Sequence, residues 1–476
     1  MEVAAGAHRA PAATSTGEGS SAFGARSHPE RWRWGWESNT IYYYSWSCVI
    51  ESRREKQSTK EEKGSPTMNK QEIREQEEAA SRWAGCLDEV HTRIAGRFAR
   101  SEQRRRARVY LQGLLSPIER KNGWQLAEAA GEANPYGYQE LLSRALWEAD
   151  KVRDDLLDLV KERLADSAAV LVIDETGFVK KGTKSVGVAP QYSGTAGKIA
   201  NCQIGVFLAY ASQKGHILMD RELYLPREWT DNETRCEEAG VPQEVSFATK
   251  LVLARRMLER VLEHGLPFAW VTGDSVYGAD YGLRHFLEEQ HIPYVLAVAP
   301  HHSVRTSWKE DRESIRVDRW LAKRSRMRWY RLSAGEGSKG QRLYDWTWWK
   351  LEDEVPEGWQ AWIMVRRSIS DPSEMAYYHV CAPTETTLET LVQVAGQRWK
   401  VEEAIERAKG ECGLDQYEVR SWTGWYRHIT LSLVAQFCAT LMQDRANTGS
   451  EKKALERDPG PCSLYQFKER RGLLVC

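Results

Sequence analysis

The chain has 476 residues, with 67 Lys+Arg balanced by 67 Asp+Glu and 41% apolar residues. That length supplies two or three domains and an ample core. The zero balance excludes a uniformly basic, histone-like binder, and no apolar run approaches the roughly 20 residues of a membrane span. Nine scattered cysteines, never spaced C-x-x-C, disfavour a disulfide framework or a zinc module and fit a reducing cytoplasm.

Residues 1–67 join Ala/Gly/Ser-rich sequence to an aromatic patch around Trp32, Trp34 and Trp36. No helical or strand period persists there, so the segment is expected to be disordered. A second methionine, Met68, follows and is the expected start of translation. Residues 68–166 read as a helical domain. Within it Arg93, Arg97, Arg100, Arg104 and Arg108 recur at spacings of three and four, with Arg105 and Arg106 alongside. That pattern predicts one basic helix face, which is either solvated, as charged stripes commonly are, or held against a polyanion.

Residues 167–443 change to α/β character. Ala168–Ile173 (AAVLVI) and Phe268–Thr272 (FAWVT) are short continuous apolar runs, the pattern of strands buried on both faces. Strands are also expected at Cys202–Ala211, Ile217–Leu225, Pro293–Ala299 and Met375–Cys381. Helices are expected at Phe247–His264, Asp280–Gln290, Thr387–Lys409 and Trp425–Gln443. Residues 301–370 break this rhythm, are rich in Trp and Arg, and read as a mostly β insertion. Residues 444–476 read as a polar tail.

Asp174 closes the first apolar run and Asp274 follows the second. Loops at strand ends expose side chains beside a rigid sheet. Two carboxylates gathered there repel unless a divalent cation lies between them. An Asp at a strand end is nevertheless more often a helix cap or turn residue, so the pair alone does not decide. In RWKVEEAIERAK, Arg398, Glu402 and Lys409 fall within about 40° of one another around a helix axis, while Val401, Ala404, Ile405 and Ala408 form its core face. That ridge is either an exposed ion-pair ladder or a metal-ligand Glu flanked by phosphate-holding cations.

Three segments in order, IDETGFVKKGTKSVGVAPQYSGTAGKIANCQIGVFLAY, WVTGDSVYG and RWKVEEAIERAKGECGLDQYEVRSWTGWYRHITL, together resemble bacterial insertion-sequence transposases of the DDE superfamily. The likeness is to the insertion-sequence family "seven-oh-one", near the group with the helix signature Tyr-x2-Arg-x3-Glu-x6-Lys. Arg398, Glu402 and Lys409 match that signature, while Ala395 stands where it has Tyr. The resemblance implies an α/β, ribonuclease-H-like mixed sheet flanked by helices, with a β insertion before the Glu-bearing helix and a helical N-terminal domain. It implies a catalytic, metal-holding triad of Asp174, Asp274 and Glu402; Glu403 is the neighbouring alternative, and Glu175 is at most a support.

Two Mg²⁺ ions, for which Mn²⁺ can substitute, suit hard oxygen donors and phosphodiester chemistry. No His or Cys cluster offers a competing site. Phosphate contacts are expected from Arg398, Lys409, Lys180, Lys181, Lys184, Arg104, Arg105 and Arg108. The implied partners are double-stranded DNA, as terminal inverted repeats and target, and a second copy of the chain, in a bacterial cytoplasm at the nucleoid and away from membranes. A catalytically inactive, DNA-binding relative is the alternative. A carbohydrate-active enzyme, suggested by Trp-rich sequence with paired carboxylates, is disfavoured by the Arg/Lys density around those Trp residues.

Overall fold

The computed structural model describes residues 70–454, other than 195, 306–313, 325 and 338–339. The readings of residues 1–67, of Met68 as the start, of Trp308 and of most of the polar tail lie outside the described residues. Five helices come first: α1 (Lys70–Ala95), α2 (Ser101–Leu115), α3 (Gly123–Ala129), α4 (Tyr136–Ser143) and α5 (Ala149–Arg163). The arginine stripe expected on one helix is divided between two, because the chain turns at 96–100. Gly96 is a poor helix former, and the turn is held by side chains folded inward. Arg97 grips Asp155 of α5 through two bonds of 2.8 and 2.7 Å, and Arg104 Nε donates to the Phe98 carbonyl at 2.9 Å.

A ten-stranded mixed sheet follows. Its first half comprises β1 (Val170–Val179), β2 (Ala189–Ser193), β3 (Lys198–Ser212), β4 (Gly215–Tyr224), β5 (Trp270–Gly273) and β6 (Tyr294–Val298). β1, β5 and β6 run parallel, while β3 is antiparallel to both β1 and β4. The order β4-β3-β1-β5-β6 is that of a ribonuclease-H-like sheet. The apolar run at the start of β1 is buried residue after residue, as a central strand covered on both faces requires.

Between β4 and β6 lie α6 (Arg227–Thr230), α7 (Glu233–Ala239), α8 (Lys250–His264), α9 (Ser275–Gly278) and α10 (Tyr281–Glu289). α8 opens on a Thr249 side-chain cap and closes on Gly265 in the left-handed region, φ 59°. A side chain at Gly278 would collide with the Ala297 carbonyl of β6, so only glycine lets α9 seat against the sheet.

The segment expected as a β insertion begins with a hairpin, β7 (Ser303–Arg305) and β8 (Ser314–Arg316), and a short helix, α11 (Val317–Ala322). Its longer strands, β9 (Tyr330–Gly337), β10 (Gly340–Lys350) and β11 (Trp359–Arg367), pair through β12 (Met375–Pro383) onto β6. They therefore prolong the central sheet. Trp320, Trp346 and Trp362 are buried in this region and serve packing.

The expected Thr387–Lys409 helix is two, α12 (Leu388–Gln397) and α13 (Trp399–Cys412), meeting at Arg398. Gly396 packs against the Ala334 backbone of β9, fixing the junction. The last helix, α14 (Trp422–Ala454), is buried around its circumference as far as Met442. Several of its buried polar residues find partners on neighbouring elements. Gln436 donates to the Ala404 carbonyl and accepts from the Leu218 amide, and Ser432 donates to the Cys412 carbonyl. His428 Nε2 meets the Gly413 carbonyl at 3.0 Å and so must carry the proton, which makes Nδ1 the acceptor from Tyr110 of α2 at 2.7 Å. The buried Lys121 ammonium donates both to Leu114, the penultimate carbonyl of α2, and to Glu411 at the end of α13. The N-terminal helices, the sheet and α14 enclose one continuous hydrophobic core.

Candidate active site

In the β1–β5 register, Ile173 stands opposite Gly273. Asp174 and Asp274 are the next residues. Asp274 follows the end of β5, whereas Asp174 does not end its strand as expected, because pairing with β3 carries β1 on to Val179. The two carboxylates still occupy corresponding places. Asp174 Oδ1 accepts from the Glu175 amide at 2.8 Å, and Asp274 Oδ1 caps α9 through the Val276 amide at 2.9 Å. The cap reading of Asp274 is therefore correct. Burial raises the Asp174 pKa to about 7, with the neighbouring Asp274 and Glu175 carboxylates adding to the rise. Burial, then Glu175, raises Asp274 as well. Arg398 opposes both shifts, so its charge faces the pair.

Arg398 sits at the α12–α13 junction and binds Glu402 one turn later, with Nη2 2.9 Å from Oε1. One guanidinium thus links the Glu402 carboxylate to the field of the two aspartates. Glu403 turns elsewhere, toward Lys400 at 3.0 Å and His216 at 3.4 Å. Of the two adjacent glutamates, Glu402 shares a partner with the aspartates. Ala395, in the place of the signature Tyr, is buried and carries no hydroxyl. Lys409 donates to Thr176, two residues beyond Asp174, at 2.8 Å.

Glu175 is engaged by two residues that sequence reasoning missed. Lys250, the first residue of α8, reaches one oxygen at 2.5 Å, and the Tyr277 hydroxyl donates to the other at 2.6 Å. Neither has a local signal, because both contacts depend on tertiary placement. Together they hold Glu175 on the side of the sheet opposite Thr176, since alternate residues of a strand face opposite ways.

The remaining expected cations are dispersed. Lys180 lies over the Tyr417 ring, 3.5 Å from its centroid, and burial lowers its pKa to about 8. Lys184 pairs with Glu238 at 3.1 Å, and Lys181 is exposed. On α2, Arg104 is tied to backbone carbonyls and Arg108 to Asp88, while Arg105 is exposed. The solvated reading thus describes Arg105 and Lys181, whereas Arg104 and Arg108 have structural partners.

Among the described residues, no group of three or more His, Cys, Asp or Glu is gathered closely enough to chelate an ion by itself. Asp174 and Asp274 nonetheless fit a hard divalent cation. Mg²⁺ is held by one or two carboxylates, with waters and substrate phosphate completing its shell, and a mutually repelling, half-buried pair of aspartates gains from such a cation. Glu402 is the third oxygen donor within reach of Arg398.

A ribonuclease-H-like sheet here brings two aspartates to corresponding places on adjacent parallel strands, with an Arg-linked Glu on a following helix, which makes this the candidate active site. A family model described as DDE superfamily endonuclease matches residues 93–351, more than half of the chain, and the chain belongs to that family. The matched span contains Asp174 and Asp274 and ends before Glu402. The chain is also similar to a protein named "Probable transposase for insertion sequence element IS701" from Microchaete diplosiphon. They are 24% identical over 316 residues, which is 64% of this chain and 74% of that one. Among the described residues, no helix is long and apolar enough to cross a membrane.

Proposed function

We propose that the protein is an insertion-sequence transposase, cutting DNA at the ends of its element and joining the freed 3′-hydroxyls to target DNA. The observation that carries this reading is the placement of Asp174, within β1, and Asp274, just past β5, at corresponding positions of adjacent parallel strands, facing Arg398, which in turn holds Glu402. Bound Mg²⁺ or Mn²⁺ would activate the attacking water or hydroxyl and stabilise charge at phosphorus and on the leaving oxygen. Asp174 and Asp274 would hold it, with Glu402 completing the donor set.

Arg398 has a second role in this reading. Its guanidinium has the planar fork that matches a phosphate, and exchanging Glu402 for a DNA phosphate would free that carboxylate for the cation. Lys409, beside β1, supplies a further positive charge to the strand being cut. Exposed Arg105 and Lys181 contribute sequence-independent attraction to the duplex. Pairing two element ends requires two copies of the chain, so a homodimer assembled on DNA in the bacterial nucleoid is part of the proposal.

The test is cleavage and strand transfer on DNA carrying the terminal inverted repeats that flank the gene, with Mg²⁺ or Mn²⁺. Wild type should cut and join, while Asp274→Asn should bind the same DNA without cutting. Equal cutting by both proteins refutes the site. Binding without cutting by wild type, at any divalent metal, favours the inactive DNA-binding relative.

A further inference from the structure

The register between β1 and β5 runs from Val170 opposite Trp270 to Ile173 opposite Gly273, and stops there. Beyond that point β1 continues against β3, while the chain after Gly273 leaves the sheet and turns into α9. The shared register thus ends one residue short of the two aspartates. The separation of their carboxylates depends on how α9 is held to β1.

One side-chain bond crosses this gap. Tyr277, fully buried in α9, donates its hydroxyl to Glu175 Oε2 at 2.6 Å. Glu175 directly follows Asp174, and Tyr277 stands three residues after Asp274, which caps the same helix. The bond therefore ties the residue beside one aspartate to the helix that the other caps. Burial, then the Glu175, Asp174 and Asp274 carboxylates, raise the Tyr277 pKa well above its ordinary value, so the hydroxyl keeps its proton and remains a donor. Lys250 Nζ reaches Glu175 Oε1 at 2.5 Å, which supplies the counter-charge and holds the carboxylate from a third element, α8. Gly278, packed against the Ala297 carbonyl, leaves α9 no room to shift toward β6.

Both oxygens of Glu175 are thus engaged, and its carboxylate lies on the sheet face opposite Thr176 and Lys409. That arrangement suits a brace and not a metal ligand. A brace matters most for a small cation. Mg²⁺ demands near-ideal octahedral geometry at about 2.0–2.1 Å, whereas Ca²⁺ accepts a larger and more flexible oxygen shell.

We infer that Tyr277 and Glu175, backed by Lys250, form a positioning brace that sets the distance between Asp174 and Asp274 and so favours a small divalent cation over a large one. The inference rests on the reading of those two aspartates as the cation-holding pair.

The test follows the urea midpoint of the full chain, without DNA, against the concentration of Mg²⁺ or Ca²⁺. Wild type should be stabilised by Mg²⁺. Tyr277→Phe should raise the Mg²⁺ concentration of half-maximal stabilisation about tenfold or more, and that of Ca²⁺ less than about threefold. Glu175→Leu combined with Lys250→Met removes the acceptor without unbalancing charge, and should act like Tyr277→Phe. Glu175→Gln combined with Lys250→Met keeps an acceptor for Tyr277, and should leave both metal responses within about threefold of wild type. Midpoints in EDTA show that each variant folds, and either brace-breaking variant carries the test alone. An equal loss for Mg²⁺ and Ca²⁺ marks a merely structural role and overturns the inference. An unchanged Mg²⁺ response in the brace-breaking variants, or no response in wild type, overturns it too. Loss of the Mg²⁺ response on combining Glu175→Gln with Lys250→Met also overturns it, since Glu175 would then be a ligand itself. Cleavage of element-end DNA is measured in parallel. If wild type cuts while the brace-breaking variants respond to Mg²⁺ like wild type, only the brace assignment fails. If wild type never cuts but the Mg²⁺ and Ca²⁺ responses separate as expected, only the nuclease reading fails.

Discussion

Replacing Asp174 by Asn should stabilise the metal-free protein. Asp174 has a pKa of about 7 in the fold, against the ordinary carboxylate value of 3.8. A raised carboxylate pKa means that the folded state holds the proton more tightly, so ionisation costs stability as pH rises from about 4 through 7. At 1.36 kcal/mol per pKa unit, the cost is about 4 kcal/mol at pH 8 and about 1.7 kcal/mol at pH 5. Asn keeps an oxygen for the Glu175 amide, but burying its amide costs about 1–2 kcal/mol. The net expectation is about 2–3 kcal/mol of added stability at pH 8 and almost none at pH 5. Urea unfolding in EDTA at the two pH values measures both. Added Mg²⁺ should then stabilise wild type and leave the variant almost unchanged. A variant no more stable than wild type at pH 8, or one whose gain is the same at pH 5, would refute the reasoning.

The two adjacent glutamates should separate kinetically. Glu402→Gln should lower cleavage by about a hundredfold or more, and Glu403→Gln by less than about tenfold, since only Glu402 shares Arg398 with the aspartates. His428 is held neutral by burial, with a pKa of about 4. Stability should therefore fall as pH drops from about 6.5 toward 4, by up to about 3 kcal/mol from this residue, and His428→Gln should flatten that part of the profile. Asp220 is fully buried and accepts from Arg260 at 2.8 Å, with Arg153 at 3.4 Å. Asp220→Ala removes the buried carboxylate that these cations share, leaving Arg260 only Glu222 and Arg153 only Asp154 and Asp150, and should cost about 3 kcal/mol in denaturant unfolding. Gly278→Ala must displace the Ala297 carbonyl and should lower the melting temperature while also lowering cleavage, because Asp274 caps α9.

The sheet's parallel centre was legible because β1 opens on a continuous apolar run that leads into Asp174, and β5 lies in a second such run, 268–272, followed two residues on by Asp274. Arg398 and Glu402 were legible because a helical period stacks residues four apart. Other features depend on pairings that no local pattern encodes. Tyr277 and Lys250 reach Glu175 from α9 and α8, elements far from it in sequence. The alternating, Trp-rich segments identified β character at 301–370, but their attachment to β6 through β12 was decided by tertiary pairing. The arginine stripe misled because spacing says nothing about Asp155 or the Phe98 carbonyl, which draw Arg97 and Arg104 into a turn. Most tryptophans of the basic segment proved to be packing residues, which composition alone does not distinguish from a stacking surface.

Lys121 caps two helices at once, and His428 joins Tyr110 to the Gly413 carbonyl. Both tie α2 to the end of the helix that carries Glu402, across a core that α14 shares with the sheet. The N-terminal helices are therefore not a detachable cassette. A catalytic fragment cut at residue 167 would expose an apolar wall and strip the C-terminal end of α13 of its cation. Recombination between relatives would have to exchange the N-terminal helices together with α13 and α14, so these segments should be inherited as a block although about 240 residues of other sequence lie between them.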